Sequence, residues 1–227
     1  MGARQVLAAT SIVLSVWIMA ALAGCGGGTP AGSDSVSPRV EEAKEQRKQG
    51  NVNAAITTLQ TAVAANPADA SAHFELGTTY YDGGRFEDAI TQFKSVVSID
   101  PSSLNGHSNL GACHFQKGDL PSARSEFESA HSLAPKDAEI LYNLGAVKLS
   151  MGDVEAAWAD FQTANQLSPS LPEVHIGMGN VYLARGDSAA GLKELRRAVE
   201  LAPDAKWKST IEKQIQEAAH KDQPAAP

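Results

Sequence analysis

Apolar residues fall along the chain in two regimes. From Val6 to Ala23 no charged side chain interrupts an 18-residue run, long enough for a spanning helix and equally the middle of a secretory signal. From residue 36 onward the apolar positions recur at helical spacing, and the whole pattern repeats every 34 residues. Pro67, Pro101, Pro135, Pro169 and Pro203 mark that period. Each follows an apolar helical stretch, as in Val97-Ser98-Ile99-Asp100-Pro101, and a proline there stops a helix because it lacks an N–H and clashes with the preceding turn.

Other positions keep the same ruler. Leu76-Gly77, Leu110-Gly111, Leu144-Gly145 and Met178-Gly179 are 34 apart, and Gly84, Gly118, Gly152 and Gly186 mark turns. Ala89, Ala123, Ala157 and Gly191 follow, then Phe93, Phe127, Phe161 and Leu195, then Val96, Ala130, Ala164 and Ala198. The pattern predicts a helix, a glycine turn, a second helix and a proline stop, over and over. A glycine inside a helix costs about 1 kcal/mol relative to alanine. Four of them at one phase predict close helix-to-helix approach rather than loops.

This arrangement of small and large positions resembles the tetratricopeptide repeat (TPR) family. The resemblance implies an all-α fold, a right-handed α-solenoid of five repeats at 36–69, 70–103, 104–137, 138–171 and 172–205. One helix pair cannot bury its apolar face alone, so neighbours stack into a continuous core. The first repeat is degenerate: it keeps Ala43, Gly50, Ala55, Leu59, Ala62 and Pro67 but carries Glu42 and Gln46 at positions that are apolar elsewhere. A polar outer face suits a terminal repeat. Trp207, Ile211 and Ile215 then recur every four residues, which predicts a capping helix over 204–220, with 221–227 expected to be a disordered tail.

The start of the chain reads as an address. Leu22-Ala23-Gly24-Cys25 resembles the lipobox of bacterial lipoproteins. By that resemblance residues 1–24 are a cleaved signal peptide and Cys25 carries a thioether-linked diacylglycerol, often with an amide-linked acyl chain. The alternative is an uncleaved signal anchor in which Cys25 is incidental. Residues 26–38, from Gly26-Gly27-Gly28 to Pro38, read as a flexible tether that would hold the domain roughly 20 Å from the lipid. Either way the domain is expected outside the cytoplasm, on a bacterial cell envelope. Gly26 stands where an aspartate retains lipoproteins at the inner membrane of enteric bacteria, which points to the outer membrane if the cell has one.

Charge narrows the partners. The balance is 19 − 26 = −7, or 18 − 26 = −8 once residues 1–24 and Arg4 are removed, so no basic face is expected for nucleic acid. Two cysteines build neither a disulfide framework nor a four-thiolate metal site. His73, His107 and His175 share one repeat position, but successive repeats lie about a helix diameter apart, roughly 10 Å, too far to share an ion. Gly177-Met178-Gly179 lacks the third glycine of a dinucleotide loop, Gly186 to Lys193 is not a P-loop, and no Gly-x-Ser-x-Gly elbow is present. Cys113 aligns with apolar positions and reads as a buried packing thiol. Neither a cofactor, a metal nor an enzymatic activity is expected.

In the family the first helix of each repeat lines a concave groove that takes protein or peptide. Carried onto this chain, the contact positions include Asn109 and Asn143, which the resemblance reads as an asparagine ladder for an extended peptide backbone, an amide being both donor and acceptor. Asn105 and Asn180 fall at further contact positions, as do Glu139 and Glu173. Phe74, Tyr81, Phe115 and Tyr142 are the expected apolar anchors. No Lys or Arg occupies the groove positions of repeats two to five, so a near-neutral to acidic groove is expected, not the family's clamp for an acidic C-terminus. Lys44, Arg47 and Lys48 form a small basic patch, read as a solvated helix face or an attraction to anionic lipid. The reading is a non-enzymatic, lipid-anchored adaptor that scaffolds an envelope complex. Pilotin-like assembly of type IV pili or secretins, an adaptor for peptidoglycan hydrolases, and a self-associating structural protein stand as alternatives.

Overall fold

The computed structural model describes residues 37–221, with side chains to residue 219. The run Val6–Ala23, the Leu-Ala-Gly-Cys motif with Cys25, most of the tether, and residues 222–227 lie outside the described residues. Among those described there are eleven helices and no strand, and no helix is long and apolar enough to cross a membrane. The chain divides into two compact units between Ala134 and Pro135.

The first unit holds α1 (Pro38–Lys48), α2 (Val52–Ala65), α3 (Ala70–Asp82), α4 (Phe86–Ile99), α5 (Leu104–Gln116) and α6 (Leu120–Leu133). The second holds α7 (Ala138–Ser150), α8 (Val154–Leu167), α9 (Pro172–Ala184), α10 (Ser188–Leu201) and α11 (Ala205–Lys221). Local chemistry sets these bounds. Asp69 accepts from the backbone N–H groups of Ser71 and Ala72 at 3.0 and 3.1 Å, and Asp137 does the same for Glu139 and Ile140 at 2.9 and 3.1 Å. Such caps satisfy donors that a helix start leaves open. Between the two helices of a repeat the chain reverses through a left-handed glycine, Gly84 at φ 71° and Gly118 at φ 76°, a conformation that costs a residue with a Cβ.

The repeat's internal helix pairs interlock as the glycine phase predicts. A Cβ at Gly77 would lie 2.9 Å from the Phe93 ring, one at Gly111 3.1 Å from Phe127, and one at Gly145 2.8 Å from Phe161. All three phenylalanines are fully buried, each contributing about 1.5–3 kcal/mol of burial, and each needs the space the missing methyl leaves. In the fifth repeat Leu195 takes the phenylalanine position, 3.1 Å from a Cβ at Gly179, and Gly191 stands where the other repeats have alanine. A Cβ at Gly179 would come within 3.1 Å of the Gly191 carbonyl oxygen, so here backbone approaches backbone.

A second device ties three of the repeats. The His107 ring sets Nδ1 2.7 Å from a Glu126 carboxylate oxygen and Nε2 3.2 Å from the Pro101 carbonyl. His175 does the same with Glu194 and Pro169, at 2.8 and 3.0 Å, and His73 with the Gln92 amide oxygen and Pro67, at 2.8 and 3.1 Å. One imidazole thus joins both helices of its repeat to the proline turn that precedes them. The fourth repeat has Leu141 at this position. Its Asp160, where the others carry Gln92, Glu126 or Glu194, pairs with Lys148 at 2.6 Å.

The two ends are closed differently. At the start, α1 buries only Val40 and Ala43, and Gln46, polar by repeat position, accepts from the Thr58 hydroxyl of α2 at 3.1 Å. At the far end α11 lays Ile211, fully buried, into a cluster with Ile176, Leu195 and Ala198, flanked by Trp207 and Ile215. Asp204 caps that helix by accepting from the Trp207 backbone N–H at 2.9 Å.

Candidate functional site

The first helices of the repeats, α3 and α5 in one unit and α7 and α9 in the other, carry every residue expected to meet a partner. Asn109 of α5 and Asn143 of α7 occupy the same repeat position, each in its own unit. Both are nearly buried, at 6 % and 5 % exposure, and in both the side-chain Oδ1 is buried with no hydrogen-bond partner. A buried acceptor without a donor costs about 1–3 kcal/mol, so these amides are held at a cost to the fold. Asn105, one turn before Asn109, is half-buried.

Asn180 departs from the expectation. It too is buried, but its Oδ1 accepts from Gln214 Nε2 of the capping helix at 2.6 Å. The acceptor of this amide is taken by the end of the solenoid. The aromatics also need correction. Tyr81 and Tyr142 are 1 % and 2 % exposed and Phe115 is buried. Tyr81 packs edge-on to Phe86 at 5.4 Å between ring centres, and Tyr142 against Phe161 at 5.9 Å. These rings point between helices, where an anchor for a ligand has no free face. Phe74 is half-buried, in an edge contact with Phe93 at 5.7 Å. Desolvation raises the Tyr81 and Tyr142 hydroxyls above the ordinary tyrosine range. Cys113 is fully buried, and burial pushes its thiol up to about 12.

The basic patch of the first repeat is largely spoken for. Lys44 and Arg47 reach Glu75 of α3 at 3.5 and 3.4 Å, Arg47 lies 4.0 Å from Asp82, and Lys48 pairs with Glu45 at 3.7 Å. At Lys44 and Arg47 the basic face is thus partly paired with carboxylates of the next helix.

The second unit is arranged otherwise. Its inner helices bear Glu139 on α7 and Glu173 on α9, and their one basic side chain, Lys148, is taken by Asp160 of α8. Arg185, just after α9, holds Glu155 of α8 with two bonds at 3.1 and 2.6 Å and lies over the Trp158 ring, 4.8 Å from its centre. Glu173 is left with a buried Oε2 that no donor reaches. Burial, and then the charge of Glu139, hold its carboxyl above the ordinary glutamate range. Sequence reading places Glu139 and Glu173 at contact positions of a groove expected to be near-neutral to acidic, without singling the two out as a pair. The signal is there: two glutamates at one position of consecutive repeats, with no cation on the same helix faces. Among the described residues no cluster of histidine, cysteine and carboxylate groups is arranged to hold a metal.

Comparison with known proteins agrees with the helix pattern. A family profile described as the tetratricopeptide repeat matches residues 40–103 and 114–172, and a second with the same description matches 148–213. No curated protein matches the chain by sequence. Among solved structures, one of MamA is 26 % identical over 70 % of this chain and 93 % of its own, with a TM-score of 0.64. A thermophilic TPR protein of Thermus thermophilus is 23 % identical, covering 80 % of this chain and 97 % of its own, with a TM-score of 0.64. YrrB, described as a TPR protein with an unusual peptide-binding site, shares the fold at 16 % identity, 88 % and 99 % coverage and a TM-score of 0.61. With the profile matches spanning well over half of its residues, this chain of helix pairs belongs to the tetratricopeptide-repeat family and has its all-α solenoid fold.

Proposed function

We propose that the protein is a non-enzymatic adaptor, held on a bacterial envelope membrane through lipid on Cys25, whose inner helices bind extended segments of partner proteins and gather them into a complex. The observation that carries the binding reading is the pair of buried, unpartnered Oδ1 atoms on Asn109 and Asn143. A peptide backbone supplies the missing N–H donor and takes the amide's own N–H in return. Repeat solenoids use such inner surfaces for extended ligands, and a TPR neighbour of known structure is described as having a peptide-binding site.

The test uses the full chain in its membrane, with a photocrosslinking residue in place of Asn105. The doubly substituted Asn109→Ala, Asn143→Ala protein is expected to lose the adducts that the parent forms. Because neither Oδ1 has a bond to lose, the substitutions are expected to keep the helical circular-dichroism signal of the parent, and equal adducts from both proteins would overturn the binding reading. The anchor is tested separately by Cys25→Ala. That variant is expected to lack the mass of the acyl groups and to leave the membrane fraction. A parent chain that keeps residues 1–24 and carries no acyl mass would overturn lipidation.

A further inference from the structure

The inner face of the second unit is chemically one-sided. Along α7, Glu139 and Asn143 stand four residues apart, which places them on one face of the helix. Helix α9 packs against α7 and brings Glu173 close enough to Glu139 for the two charges to act on each other. Tyr142 is also within reach of the Glu173 charge. The unused atoms there, Asn143 Oδ1 and Glu173 Oε2, are both acceptors, both buried and both without a donor. Asn143 is 95 % removed from solvent, and the only cation on α7 or α9 is bound to Asp160. A ligand that satisfies this face must bring N–H donors and positive charge together.

Resting on the peptide-binding reading above, we infer that the α7/α9 face of the second unit selects an extended segment bearing an arginine or lysine, whose cationic head is received by Glu173 and Asn143. Two oxygens on different helices suit a group with several N–H donors, and the Glu139 charge deepens the local negative potential. Hydrogen bonds from a charged donor to a carboxylate are about twice as strong as neutral ones. The inner helices of the first unit do not offer this, because Glu75 is already met by Lys44 and Arg47.

Three probes decide it on the full-length protein in detergent, by fluorescence anisotropy: an acetylated, amidated pentapeptide Ala-Ala-Arg-Ala-Ala carrying a dye, the same peptide with citrulline, and the same with glutamate. The arginine peptide is expected to bind about tenfold more tightly than the citrulline one, the glutamate peptide more weakly still, and the preference to shrink as salt rises. Glu173→Gln should remove the preference, so that the arginine and citrulline peptides bind alike. That variant deletes a buried charge without a counter-ion, so it is expected to fold at least as stably as the parent. Equal binding of arginine and citrulline peptides, or a preference that survives Glu173→Gln, overturns the charge selection and leaves the backbone reading standing. Binding by none of the three overturns both.

Discussion

The two units repeat one helix-pair geometry and solve the charge problem of their inner helices in opposite ways. In the first, Glu75 is half-enclosed and two cations from the terminal helix, Lys44 and Arg47, close on it. In the second, Glu173 faces another glutamate, and the available cations, Lys148 and Arg185, are engaged with Asp160 and Glu155 of the outer helix. The difference shows what a repeat fixes and what it leaves open. Position within the 34-residue period decides which backbone atoms touch and which rings are buried. It does not decide who neutralises a carboxylate, since that depends on what the neighbouring repeat happens to carry.

The comparison is broken most severely at the ends. Ile211→Ala, at the cap of the second unit, is expected to cost about 2–5 kcal/mol. Val40→Ala, at the opposite end, loses two carbons and should cost less, at about 0.8 kcal/mol per carbon. Urea titration gives the sizes, and hydrogen exchange should place the early opening in the unit that carries the change. Equal costs would mean that α1 is as essential a cover as α11.

Alanine at the interlocking glycines gives the next effect. A Cβ at Gly177 would sit 2.5 Å from the Phe161 ring, against 3.1 Å between Gly111 and Phe127. Overpacking costs about 1–3 kcal/mol, while alanine gains about 1 kcal/mol in helix propensity. Gly177→Ala is therefore expected to destabilise and Gly111→Ala to be close to neutral, by thermal or urea unfolding.

Smaller, but diagnostic in sign, is the pair Glu75→Gln and Glu173→Gln. The first removes two partly exposed ion pairs and should cost about 0.5–1 kcal/mol. The second removes an uncompensated carboxylate and should leave stability unchanged or raise it. Both changes lowering stability alike would erase the distinction between the units.

The smallest effect is in pH. Because the folded Glu173 carboxyl lies above its ordinary value of 4.5, the folded state binds the proton more tightly than the unfolded one. Stability from this group is then complete below the unfolded value and falls as pH rises through the folded one. The parent minus Glu173→Gln difference should slope downward as pH rises above 4.5; Asp82, raised for the same reason of burial, cancels between the two proteins.

How much of this can be read from the chain follows from the same division. The helix pairs and the closeness at Gly77, Gly111 and Gly145 are legible because glycine and phenylalanine recur at one phase, and local sterics answer to position alone. Cys113 is legible as a packing thiol for the same reason. Tyr81 and Tyr142 are not anchors, because a contact position on a first helix does not say which way a large ring turns, and here rings on the second helices draw them inward. The fate of Asn180 turns on Gln214, 34 residues away on a helix outside the repeats, and that of Glu75 on Lys44 and Arg47 of a degenerate one. Polar side chains choose their partners across repeats through rotamers, and periodicity carries no information on that choice.

The left-handed glycines have a practical consequence. At Gly50, Gly84, Gly118, Gly152 and Gly186 an added Cβ would meet nothing within 4 Å. Their constraint is in the backbone angle, and around them is open space. Residues inserted beside these turns would grow outward and away from the helices. The molecule therefore offers five evenly indexed mounting points, one per repeat, for a dye, a spin label or a whole reporter domain.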